Sequence, residues 1–84
     1  MIRILYFARL REQVGTAGEE LPSNPDLACV ADVATSLRQR GGPWAEAFAP
    51  DQTVLASVNQ ELARGETPVA DGDEVAFFPP VTGG

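Results

Sequence analysis

Histidine and lysine are absent from the 84 residues, and cysteine occurs once, as Cys29. These absences remove most self-sufficient catalytic devices. Without histidine there is no Ser-His-Asp triad, no Cys-His pair and no His-containing zinc site, and without lysine there is no Schiff base. A lone cysteine builds neither a four-thiolate metal site nor an internal disulfide framework, and it fits a reducing compartment. Gly15 and Gly18 lack the further glycines and the lysine of a phosphate-binding loop. Carboxylates are plentiful, but nothing marks two of them as an acid/base pair, so the chain is not expected to be an enzyme by itself. No apolar run approaches membrane-spanning length, and no charged segment leads into a hydrophobic one at the start, so a soluble, cytoplasmic protein is expected. All six basic residues are arginine, against twelve acidic ones, for a net charge of −6. Nucleic acid demands a basic surface and is not an expected partner. A basic protein surface suits this chain better, although solubility alone explains the acidity equally well.

What is present describes one small domain. A hydrophobic content of 44% is enough for a core and too high for a disordered chain. Met1–Ala8 is β-branched and aromatic and predicts a first strand, with Ile2, Ile4 and Tyr6 on one face and Arg3, Leu5 and Phe7 on the other. Arg9–Val14 predicts a helical turn closed by Gly15. Glu19–Leu21 predicts a short strand ended by Pro22, before a loop rich in turn residues. From Cys29 to Arg40, Val30, Val33, Ala34 and Leu37 recur at helical spacing. Arg38 and Arg40 complement the dipole of that helix, and Gly41-Gly42 ends it. Pro43–Phe48 predicts a second short helical turn, with Trp44 and Phe48 capping the core. Thr53–Val58 predicts a third strand, turned by Asn59-Gln60-Glu61. A fourth strand is placed near Leu62 or Val69, and Glu74–Phe78 is the last. The expected class is α+β: a mixed sheet of about five strands covered on one face by one main helix.

The end of the sequence, "FFPPVTGG", reads in two ways. Chain ends are commonly frayed, and two final glycines fit that. Alternatively, residues 79–84 form an extended tail on a domain spanning 1–78, and the Gly84 carboxylate is the functional group. Pro79 and Pro80 favour a stiff polyproline root. Val81, Thr82, Gly83 and Gly84, at roughly 3.3 Å each, reach about 13 Å. Gly83 adopts whatever dihedrals a narrow channel demands, and Gly84 leaves room around the carbonyl carbon by having no Cβ.

The segments "FARLRE" (residues 7–12), "VNQEL" (58–62) and above all "DGDEVAFFPPVTGG" (71–84) resemble those of ubiquitin-like β-grasp proteins. More narrowly, the chain resembles the small, sulfur-carrying subunits of molybdopterin synthase over essentially its whole length. The segment "LPSNPDLAC" departs from that family by its length and prolines, and Cys29 stands where a Ser, Thr or Asp cap is favoured.

The resemblance implies a relay. A ubiquitin-activating-like adenylyltransferase uses ATP to adenylate the Gly84 carboxylate, which is ionised and unreactive on its own. A sulfur donor then converts it to a thiocarboxylate. The tail enters the large subunit of molybdopterin synthase, in a heterotetramer, and gives its sulfur to a cyclic pyranopterin precursor. The carrier binds no cofactor and no metal. The β-grasp fold also implies central, parallel first and last strands, so that Phe7 and Phe78 meet at the root of the tail. Phe77 is then core, and Phe7, Leu62 and Phe78 form an apolar docking patch or, on the ordinary reading of large apolar residues, belong to the core. Arg11 is a partner contact or an ordinary solvated arginine. Cys29 is a buried, inert thiol or, far less in keeping with its surroundings, a sulfur relay. Rival readings are a carrier for thiamine or transfer-RNA thiolation, a ubiquitin-like protein modifier, and a passive binding module.

Overall fold

The computed structural model describes residues 1–80, so the tail residues Val81, Thr82, Gly83 and Gly84 lie outside the described residues. Its strands are β1 (Ile2–Tyr6), β2 (Gly18–Leu21), β3 (Leu55–Val58), β4 (Glu61–Ala63) and β5 (Glu74–Phe78), and its helices are α1 (Ala8–Val14), α2 (Val30–Arg38) and α3 (Gly42–Ala47). The strands form one sheet in the order β2-β1-β5-β3-β4. β1 and β5 are parallel neighbours at its centre, and the other pairs are antiparallel.

Period-two alternation sets the inner face of the sheet. Ile2, Ile4 and Tyr6 of β1 and Val75 and Phe77 of β5 are all buried. The helices cover that face. α1 brings in Leu10, and α2 brings in Val30, Val33 and Leu37 with Ala34 packed beside them. α3 adds two aromatic contacts. Phe48, its C-cap, meets Phe77 edge-on at 5.0 Å between centroids, and Trp44 meets Tyr6 at 5.3 Å. α2 is the longest of the three helices among the described residues, and α1 and α3 complete the cover.

The helix ends show how the chain manages without side-chain caps. α1 stops at Gly15, which takes the left-handed conformation (φ 80°) and donates its N–H to the Arg11 carbonyl at 3.0 Å. α2 begins after Cys29, which offers no side-chain cap. Its first free N–H groups are satisfied from outside the helix: Val30 donates to the Thr67 carbonyl at 3.1 Å and Ala31 to that of Gly65 at 2.8 Å. The loop between β4 and β5 thus does the work of a cap. No side-chain pattern at Cys29 announces it.

Three local expectations change. α2 ends at Arg38, short of the glycines, and Gly41 becomes the N-cap of α3. Arg40 does not serve the helix dipole, because its guanidinium reaches Glu19 on β2 through bonds of 2.8 and 2.6 Å. The turn after β3 holds only Asn59 and Gln60, at φ 51° and 71°, so Glu61 opens β4 instead of closing the turn. Leu62 lies in β4, while Val69 is buried in the following loop. Among the described residues no helix is long and apolar enough to cross a membrane.

Candidate functional site: the open sheet face and the root of the tail

Burying one set of alternate residues leaves the other set on the opposite face, which none of the three helices covers. Strand register arranges these residues in rows. Leu5, Ala76, Ser57 and Leu62 face one another across β1, β5, β3 and β4. The next row towards the tail places Phe78 opposite Leu55. The row at the far end is charged, with Arg3 between Glu20 and Glu74. The face is therefore apolar beside the chain exit and ionic away from it.

Phe7 joins the apolar end. Its N–H donates to the Phe77 carbonyl at 3.1 Å, extending the parallel ladder one residue beyond β1 and setting Phe7 level with Phe78. Its own carbonyl then accepts from Leu10 N–H at 3.1 Å, so α1 starts at once. That sharp change of direction places Ala8 at φ 52°, a conformation costing a non-glycine residue about 1 kcal/mol or more. The result is an aromatic ring held outward where a strand stops. Phe7 is 46% exposed and Leu62 77%, whereas Phe78 is half-buried between its strand neighbours. Ordinary burial does not account for Phe7 or Leu62; Phe7 adjoins β5 directly, and Leu62 lies on the edge strand across β3 from it.

Phe7, Leu62 and Phe78 thus share one face, and Phe77 lies in the core with 1% exposure. Arg11 is not on that face: it stands exposed on α1, whose Leu10 packs on the other side of the sheet. Pro79 and Pro80 are half-buried and line a shallow groove with Ala8, Arg9, Gln52 and Thr53. Leu5 shares the face of Phe7, as its alternation predicts. Leu55 becomes legible only through its pairing with Phe78.

The polar residues gathered on the helix side form a strap. Tyr6 donates its hydroxyl proton to Glu19 Oε2 at 2.8 Å, and Arg40 binds both Glu19 oxygens. The Arg40 guanidinium also lies 4.5 Å from the centre of the Trp44 ring. The Arg40 hydrogen bonds hold the Glu19 carboxyl below its ordinary range, and the same bonds raise Arg40. Burial, followed by the neighbouring carboxylate, pushes the Tyr6 phenol far above its ordinary value. The cluster ties β2 to Tyr6 of β1 and to the Arg40–Trp44 segment between and within the helices. Cys29 is half-buried, and its backbone bridges to Pro68.

The fold is that of a ubiquitin-like β-grasp domain, with an uncovered sheet face beside its last strand. Comparison with known proteins makes the class specific. The ThiS family model matches residues 4–84. The molybdopterin synthase sulfur carrier subunit of Escherichia coli (strain K12) is 45% identical over 84 residues, which is 100% of both chains. Its counterpart from Haemophilus influenzae is 42% identical, again over 100% of both. Among solved structures, SAMP1 from Haloferax volcanii superposes with a TM-score of 0.77 at 26% identity, covering 99% of this chain and 98% of that one. The chain belongs to the ThiS family, and it is similar along its whole length to the molybdopterin synthase sulfur carriers.

Proposed function

We propose that this protein is the sulfur carrier of a molybdopterin synthase and that its working group is the carboxylate of Gly84. The observation that carries this reading is the 45% identity with the Escherichia coli sulfur carrier subunit, over all of both chains. Joining the carboxylate to AMP from ATP, with release of pyrophosphate, turns a poor electrophile into a mixed anhydride. That step belongs to a ubiquitin-activating-like adenylyltransferase. A sulfur nucleophile then displaces AMP and leaves a thiocarboxylate. The tail carries the sulfur into the large subunit, which supplies the catalytic side chains and holds the cyclic pyranopterin precursor. The small subunit is non-catalytic, binds no cofactor, and works in the cytoplasm within a heterotetramer.

The geometry supports this division of labour. β5 lies between β1 and β3 and is anchored by Phe77, so the chain leaves from the central strand of the sheet. Phe7, Leu62, Phe78, Leu5 and Leu55 offer an apolar surface beside that exit, and the prolines keep the root stiff. Both activating enzyme and large subunit then grip the same face, one after the other.

The test is mass spectrometry after incubation with the activating enzyme, ATP and a sulfur donor. One oxygen of the last residue should be replaced by sulfur. Removing Gly84, or adding a residue after it, should abolish that change with the fold intact, whereas Cys29→Ser should leave it unaltered. A Gly84 deletion that still accepts and delivers sulfur would overturn the reading. The likeness to a small archaeal modifier protein favours one alternative, conjugation to the lysines of other proteins. Adducts of high molecular weight in cell extract, with no sulfur on Gly84, would establish it.

A further inference from the structure

Leu62 is the most exposed large apolar side chain among the described residues, yet it sits on a three-residue strand at the edge of the sheet. A strand so short has little to hold it. Its contacts with β3 run through Val58, Ser57 and Ala56, and its outer edge has no neighbouring strand. An anchor for a partner needs a fixed position, because ordering a loose one on binding costs affinity.

The turn residue Asn59 supplies the missing restraint. Its backbone N–H donates to the Glu74 carbonyl at 2.8 Å. Its side-chain oxygen accepts the Glu74 N–H at 3.0 Å, and its side-chain nitrogen donates to Asp73 Oδ1 at 3.1 Å. Asp73 is itself fixed, since its other oxygen accepts the Ala70 N–H at 2.9 Å. The amide suits this role because its nitrogen donates while its oxygen accepts. Asparagine also tolerates the left-handed conformation that the turn imposes at φ 51°. One side chain therefore ties the tip of the β3–β4 hairpin to the start of β5, the strand whose other end carries the tail.

We propose that Asn59 is a positioning residue for partner docking: it clamps the β3–β4 hairpin to Asp73 and Glu74 so that Leu62 is held ready on the docking face. The proposal rests on the functional reading above, in which a large subunit binds that face. Asn59 sits beside the start of β5, at the opposite end of that strand from Phe78, and acts through Leu62 alone.

Asn59→Gly keeps the turn conformation and removes both side-chain bonds. In the free protein, hydrogen exchange at the Glu74 amide, which loses its acceptor, and at the β4 amides that face β3 should speed up by about fivefold or more, the worth of one or two such bonds, while amides of β1 and of Val75–Phe78 stay protected. In sulfur transfer, the carrier concentration giving half-maximal rate should rise by about the same factor, with the maximal rate unchanged. A double-mutant cycle separates positioning from general damage. In a Leu62→Ala background, Asn59→Gly should cost almost nothing further. Equal losses in both backgrounds, or unchanged exchange in the hairpin, would overturn the proposal. If the wild-type protein fails to engage the large subunit, the functional reading falls, and unchanged or accelerated hairpin exchange still decides whether Asn59 is the clamp.

Discussion

Truncating Phe77 to alanine probes the joint between the sheet and its helical cover. The ring is 1% exposed, lies on a strand bonded on both sides, and meets Phe48 edge-on at 5.0 Å. Deleting a buried phenylalanine costs about 3–5 kcal/mol, from lost transfer energy and from the cavity left behind. The aromatic pair accounts for about 0.5–1.5 kcal/mol of that. A domain of 84 residues has a total stability of about 4–13 kcal/mol, so the variant loses about a quarter of it or more. At about 4–8 °C per kcal/mol, its Tm should fall by about 12 °C or more. Thermal and urea unfolding followed by far-ultraviolet circular dichroism measure this, with the urea dependence checking that the unfolding stays two-state. Phe78→Ala is the control, since its half-buried ring lies on the other face and should cost less than half as much. A Phe77 variant melting within about 5 °C of wild type would refute the packing argument.

Two further outcomes follow from local geometry. Hydrogen bonds from Arg40 depress Glu19 below its ordinary value of 4.5, so the unfolded chain takes up that proton first as pH falls. The stabilisation is complete above about pH 4.5 and is lost as pH falls through the folded value. Glu19→Gln should therefore be less stable than wild type at pH 7 by about 1 kcal/mol, a figure reduced for partial exposure of the pair, and the gap should close in acid; a gap that is constant from pH 7 to pH 3 would count against it. Gln60 holds φ 71° at the second turn position, where glycine is favoured. Gln60→Gly should raise stability by about 0.5–1 kcal/mol in urea titrations, and an unchanged or lowered midpoint would show that no strain resides there.

Legibility differed between the elements for physical reasons. β1, β5 and the apolar stripe of α2 are plain in the sequence because burial on one side imposes a period that survives any detail of packing. Alternation separates Phe77 from Phe78, and the β-grasp resemblance assigns Phe77 to the core. Phe78 could be assigned only to the opposite face, because its half-burial depends on neighbours contributed by β3. The start of α2 was misleading at Cys29, since the groups that satisfy its first N–H donors come from a loop more than thirty residues further on. Arg40 was assigned to its own helix because a helix end is a local signal, whereas Glu19 lies 21 residues away in sequence.

By itself the sequence determined the α+β class, the alternation that separates core from open face, and the family, through the string that ends in Gly83 and Gly84. Those properties depend on side-chain chemistry and on short-range periodicity, which any local reading captures. Only the tertiary structure decided which alternate residues become neighbours across strands, gathering Leu5, Leu55, Leu62, Phe7 and Phe78 on one surface. It also decided that Asn59 spans from a turn to Asp73 and Glu74, and that Tyr6, Glu19 and Arg40 form one strap. Each of these joins groups far apart along the chain, and hydrogen bonds and contacts of a few ångströms arise only after the backbone has closed the distance.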